Sequence, residues 1–221
     1  MKKVAFIGLA VFLSSCSSEA ENRGKTVSQW RGLLKDTDPK IRVDAANALG
    51  EIGSKARSAV PDLITALQDK NDQVRAKVAA ALWSIGPDAK DAVPALTIAL
   101  KDKSAEVRLS AAGALAEIGQ DARDAIPALA QALKDKDANV RSQAAKSLGT
   151  FGADAKPAVS AMVAALKDPS PAVRITVAYA LAAIGPEANA AVPALQELLN
   201  ATDGSIRGAA KHALQEIQGK N

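Results

Sequence analysis

Arginines preceded by Val or Ile stand at Arg42, Arg75, Arg108, Arg141, Arg174 and Arg207, each 33 residues after the last. Pro61, Pro94, Pro127 and Pro193 keep the same interval, with Ser160 in the missing place, and so do Gly53, Gly86, Gly119, Gly152 and Gly185. A period that runs through the chain without an insertion confines it to a quasi-linear array in which each unit touches only its neighbours. Aromatics make up 3% of the chain against 48% apolar residues, so the core is built from Ala, Leu, Val and Ile, which suits closely packed helices. Charged residues at 24% match a soluble body.

The second unit shows how each repeat reads physically. A first helix starts near Pro61, a residue suited to a first helical turn, and buries Val60, Leu63, Ala66 and Leu67. After the polar turn Asp69-Lys70-Asn71, a second helix runs from Asp72 to Ile85, burying Val74, Val78, Ala79, Leu82 and Ile85, until Gly86 caps it. The residues that would open this second helix are Asp38, Asn71, Ser104, Asp137, Ser170 and Asp203, all good N-caps. Thr26 with Gln29 forms a capping box for the first helix.

The fold class predicted is therefore all-α, a right-handed α-solenoid of six 33-residue helical hairpins over residues 27–221, with units 27–59, 60–92, 93–125, 126–158, 159–191 and 192–221. The ends support this. Lys211 replaces the alanine of Ala46, Ala79, Ala112, Ala145 and Ala178, as expected where no further repeat covers the helix, and Trp30 replaces a smaller apolar residue at the open front.

Residues 1–15 read as an export signal: Lys2-Lys3, an apolar run from Val4 to Leu13, then small residues. That run is shorter than the roughly 20 residues needed to span a bilayer. Leu13-Ser14-Ser15-Cys16 resembles the lipobox of bacterial lipoproteins. The resemblance implies cleavage before Cys16, acylation of that residue, and a bacterial cell envelope location, with the outer membrane facing the periplasm or the cell surface favoured because Ser17 and Ser18 lack an inner-membrane retention Asp. Residues 16–26 then serve as lipidated cysteine and flexible tether. Cys16 is the sole cysteine, which excludes an internal disulfide.

The recurring Pro-Ala-Leu, Leu-Lys-Asp, Val-Arg, Ala-Leu and Ile-Gly, clearest over Pro94 to Gly119, resembles HEAT-like repeats of the type also found in phycobilisome lyases. In proteins of this type, an Asp of the inter-helix turn and an Arg of the second helix form a structural ladder. Here the implied arginines are Arg42, Arg75, Arg108, Arg141, Arg174 and Arg207, and the acids Asp36, Asp69, Asp102, Asp135 and Asp168; Ala201 in the sixth unit implies that Arg207 lacks its partner. An exposed guanidinium track for a polyanion is the competing reading.

The resemblance also places the second helix of each unit on the concave, binding face. Its variable positions form a stripe from Asp44, Asn47 and Glu51 to Ala209, His212 and Glu216. Lys77, Lys146, Tyr179 and His212 on that stripe, with Trp83 in a slot otherwise filled mostly by small residues, are the candidate partner-binding residues, Trp83 being either a packing plug or a contact.

Chemistry has little to work with. One histidine, His212, and one cysteine committed to the anchor leave no metal pair and no buried triad, and no Gly-rich phosphate loop occurs. Asp135-Lys136-Asp137-Ala138-Asn139 begins like a calcium loop but fails at Val140 and Lys146. The net charge of +4 includes Lys2 and Lys3 of the leader, leaving +2 and no basic run for nucleic acid. The expectation is no enzyme, no cofactor, no metal and no nucleic acid, but a membrane-anchored scaffold for a protein partner; a lyase-like or chaperone-like handler of a small ligand and a purely structural envelope protein stay open.

Overall fold

Side-chain caps at Asp38, Asn71, Asp137 and Asp203 set the frame, and Ser104 and Ser170 take the same extended position without a side-chain bond. In a computed structural model, describing residues 20–219, every one of the six predicted N-caps opens a long helix. The leader and Cys16 lie outside the described residues. Short and long helices alternate: α1 (Val27–Leu33) and α2 (Pro39–Ile52), α3 (Val60–Ala66) and α4 (Asp72–Ile85), α5 (Val93–Ala99) and α6 (Ala105–Ile118). The second half repeats this with α7 (Ile126–Ala132) and α8 (Ala138–Thr150), α9 (Val159–Ala165) and α10 (Pro171–Ile184), and α11 (Val192–Leu198) and α12 (Gly204–Gln218).

The result is the expected α-solenoid. Long helices stack on long helices, α2 on α4, α4 on α6 and onward to α12, in one layer. Small residues set the spacing. A Cβ on Gly50 would stand 3.2 Å from the Cα of Ala81, and one on Gly149 would stand 3.1 Å from that of Ala180, so backbone meets backbone at both crossings. The core between layers is the predicted set: Leu63, Val74, Val78, Ala79 and Leu82 are fully buried, although Ala66, expected inside, is half-buried.

Each connection back from long to short helix carries a segment the periodicity did not announce. Gly53–Ala59, Gly86–Ala92, Gly119–Ala125, Gly152–Ala158 and Gly185–Ala191 are 3-10 helices. Each buries two alanines three residues apart, Ala56 and Ala59 in the first, because residues i and i+3 eclipse in this geometry. Each opening glycine has a positive φ, such as 71° at Gly86, where a side chain would be strained.

The tether prediction needs correction over its last residues. Glu21–Asn22 pairs antiparallel with Lys25–Thr26, and the turn between has Arg23 at φ 51° and Gly24 at φ 72°. Two consecutive positive φ values close a two-residue hairpin. The ribbon is held because Trp30 donates its indole N–H to the Asn22 carbonyl at 3.1 Å, and Lys25 lies 5.0 Å from the Trp30 ring centre. Glu51 accepts from Asn22 at 2.9 Å and Arg23 at 2.6 Å. Trp30, thus covered, closes the front of the stack, while Lys211 stands exposed at the back where Ala46 and its equivalents are buried.

Candidate binding face and the arginine ladder

The arginine ladder is a chain of clamps between repeats. Arg75 on α4 donates from Nε and Nη2 to the two carboxylate oxygens of Asp102, at 2.7 and 2.8 Å, 27 residues ahead. Arg42 with Asp69, Arg108 with Asp135, and Arg141 with Asp168 do the same. Each arginine also binds its own turn: Nη1 of Arg75 reaches the Asp69 carbonyl oxygen at 2.7 Å. Each aspartate in turn accepts a backbone N–H two residues on, Asp102 from Ser104 at 2.8 Å. One carboxylate therefore shapes its own turn and fastens the preceding repeat.

These carboxyls titrate below the ordinary range. For Asp102 and Asp168 the main cause is the hydrogen bond from Arg75 or Arg141, opposed by burial and aided by the backbone N–H. For Asp69 and Asp135 burial is the largest single influence and acts upward, but the arginine and backbone donors together outweigh it. The paired guanidinium groups of Arg42, Arg75 and Arg108 are buried, so they offer no track to a polyanion.

The stacking direction corrects one assignment. The residue six positions upstream of each arginine contributes its carbonyl; the carboxylate, where there is one, comes from the next repeat. Ala201 therefore removes the partner of Arg174, not that of Arg207. Arg174 keeps its bond to the Asp168 carbonyl at 2.6 Å, and Arg207 its bonds to the Ala201 and Thr202 carbonyls at 2.7 and 2.8 Å. Neither makes an ion pair among the described residues. The calcium-like acids are likewise accounted for: Asp135 is clamped by Arg108, and Asp137 caps α8.

The stripe on the long-helix layer divides in two. Toward the front, Asn47, Glu51, Lys77, Ala80 and Ser84 border a shallow depression between α2 and α4. Lys77 is already engaged there, its ammonium 3.1 Å from Glu106 of the next repeat. Beyond it the stripe is interrupted, because Ser110 and Gly113 are buried. A Cβ on Gly113 would fall 2.5 Å from the Trp83 ring. Trp83 thus lies across its neighbour as a half-buried packing plug, and the glycine is the space it occupies.

Toward the back the candidates converge. Tyr179, 51% exposed, meets His212 of the following repeat with ring centres 5.5 Å apart and planes tilted by 49°. Nδ1 of His212 is 4.0 Å from Glu216 one turn on. Lys146, at the equivalent position one repeat earlier, is exposed and makes no ion pair among the described residues. Lys146, Tyr179 and His212 therefore share a face, whereas Trp83 packs over Gly113 and Lys77 pairs with Glu106 at the surface nearer the front. No group of three or more metal-ligating side chains occurs among the described residues.

Comparison with known proteins agrees with this construction. The sequence profile described as HEAT repeats matches residues 27–116, 93–159 and 126–215. No curated protein matches the sequence. Among solved structures, an engineered protein is similar with a TM-score of 0.69 and 28% identity, over 87% of this chain and 96% of that one. The complex of CpcE and CpcF of phycocyanin lyase from Nostoc sp. PCC7120 is similar with a TM-score of 0.63 and 25% identity, over 92% of this chain and 82% of that one. A designed armadillo repeat protein, solved in complex with the peptide (KR)4, shares the fold with a TM-score of 0.73 and 20% identity, over 87% of this chain and all of the other. With three overlapping matches spanning almost all of the ordered repeats, the chain belongs to the HEAT-repeat family.

Proposed function

We propose that this protein is a non-catalytic, lipid-anchored scaffold of the bacterial cell envelope that holds a protein partner against the exposed stripe of its long helices. The observation that carries the reading is the contact between Tyr179 and His212 beside an uncommitted Lys146. An exposed tyrosine packed on a second ring is the kind of aromatic contact enriched at interface centres, with Lys146 suited to the charged rim around it. The anchor rests on the Leu13-to-Cys16 motif and the export-like leader before it. Cross-linking and recovery from native membranes, comparing the wild type with Lys146→Glu and Tyr179→Ala, tests the partner: unchanged recovery removes the stripe from consideration and favours a purely structural envelope role. Membrane partitioning of Cys16→Ala tests the anchor, and continued association with membranes would contradict it.

A second reading, a handler of a small ligand, draws on the likeness to the phycocyanin lyase complex. That complex also joins two chains, which equally supports association with another protein. Mass spectrometry of the natively purified protein separates the two, since the scaffold reading expects no bound small molecule.

A further inference from the structure

Four arginines close their forks on a carboxylate of the following repeat, and the fifth holds the same posture without one. Nη1 of Arg174 donates to the Asp168 carbonyl at 2.6 Å, as Nη1 of Arg75 and Arg141 donate to the Asp69 and Asp135 carbonyls at 2.7 and 2.8 Å. In the four complete clamps, Nε and Nη2 then carry the carboxylate. At Arg174 these two donors have no acceptor among the described residues, because position 201 is alanine. The third donor is present as well: the backbone N–H that serves each clamped acid, Ser170 N–H to Asp168 at 2.8 Å for example, corresponds to that of Asp203.

The surroundings suit a negative charge. Asp168 in its clamp is also drawn down by Arg174 of its own turn, and a carboxylate beside Ala201 would face Arg207 in the same way. The carboxylate of Asp203 does not forbid it, since Asp137 holds the same place beside the clamped Asp135. The site is reachable: Arg174 and Ala201 are half-buried and Arg207 is exposed, whereas the side chain of the clamped Arg108 is 6% exposed.

We infer that Arg174, with Arg207 and the Asp203 N–H, is a docking point for a carboxylate from another molecule, namely an Asp or Glu side chain of an acidic peptide segment. A planar fork already held in its binding posture favours a carboxylate through two parallel charge-assisted bonds. The site lies at the inter-helix turns, off the stripe of Lys146, Tyr179 and His212, and the inference does not depend on that stripe.

The test follows the side-chain Nε–H resonance of Arg174 by NMR at constant ionic strength, while acetyl-Gly-Asp-Gly-amide or its Asn counterpart is added. The Asp peptide is expected to shift the resonance and the Asn peptide to leave it in place. Ala201→Asp supplies the missing acid from within the chain; it should show the shift without peptide, raise the melting temperature and lower peptide affinity by about tenfold or more. Arg174→Lys, which keeps the charge but loses the fork and the Nε–H, should also weaken the peptide when binding is followed by the backbone amide resonance of Asp203. Equal responses to the two peptides, or undiminished binding by Ala201→Asp or by Arg174→Lys, would overturn the assignment. Lys146→Glu should leave the response unchanged, so failure of the stripe and failure of this site are separable.

Discussion

Arg141 and Asp168 stand 27 residues apart in sequence and are joined by two parallel hydrogen bonds of 2.6 and 2.8 Å across the boundary between the fourth and fifth repeats. Arg141 simultaneously binds the Asp135 carbonyl of its own turn at 2.8 Å. The pair therefore couples the shape of one turn to the position of the next, which is how a unit too small to hold its own core is registered on its neighbour.

Breaking a complete clamp strands a carboxylate that is nearly buried. Arg108→Ala, whose partner Asp135 has a side chain only 10% exposed, should cost about 3 kcal/mol in chemical denaturation. Arg174→Ala removes no carboxylate contact and should cost about 1 kcal/mol or less. Equal losses would mean that the carboxylate contributes nothing to the stacking.

The clamps also set the acid limit of the fold. Asp69, Asp102, Asp135 and Asp168 all have folded-state pKa values below their unfolded ones, so the unfolded chain binds more protons in acid. Their stabilisation is complete above the unfolded carboxylate value of about 3.9 and is lost as pH falls through the lower folded values. Melting temperature should be flat between about pH 5 and 7 and fall below about pH 4. Asp135→Asn should start lower and show a shallower acid decline, as measured by circular dichroism.

Trp83 and Gly113 form a size-complementary pair. Gly113→Ala gains about 1 kcal/mol of helix propensity but places its Cβ inside contact distance of the Trp83 ring, so it should be destabilising on balance. In the Trp83→Ala background the same change should become stabilising. A double-mutant cycle checks this, and additive effects would show that the two residues do not share space.

Much of this was legible in one sequence. Six N-caps, the glycine stops and the core of each long helix follow from local chemistry repeated in phase, and Asp72–Ile85 is found at its predicted bounds. The 3-10 segments were missed although Ala56, Ala89, Ala122, Ala155 and Ala188 mark them, because alanine spacing alone does not separate a 3-10 turn from a loop. The clamp direction was misread for a different reason. Two acids lie near each of Arg42, Arg75, Arg108 and Arg141, at six residues back and 27 ahead, and only the stacking of repeats shows which one turns its carboxylate inward. The hairpin over Glu21–Thr26 was hidden because Arg23, not glycine or asparagine, takes the first positive φ. On the candidate face, sequence placed Lys146, Tyr179 and His212 on one stripe, but the pairing of Lys77 with Glu106 and of Trp83 with Gly113 required the neighbouring helices.

The stripe around Lys146 is the face proposed to hold a protein partner. A photo-crosslinking amino acid placed at position 146 or, on the outward side of the short helix α9, at the exposed Ala164, tests it directly in native membranes. A discrete, heavier adduct is expected from position 146 and none from position 164. Absence of an adduct at 146, or the same adducts from both positions, would contradict it.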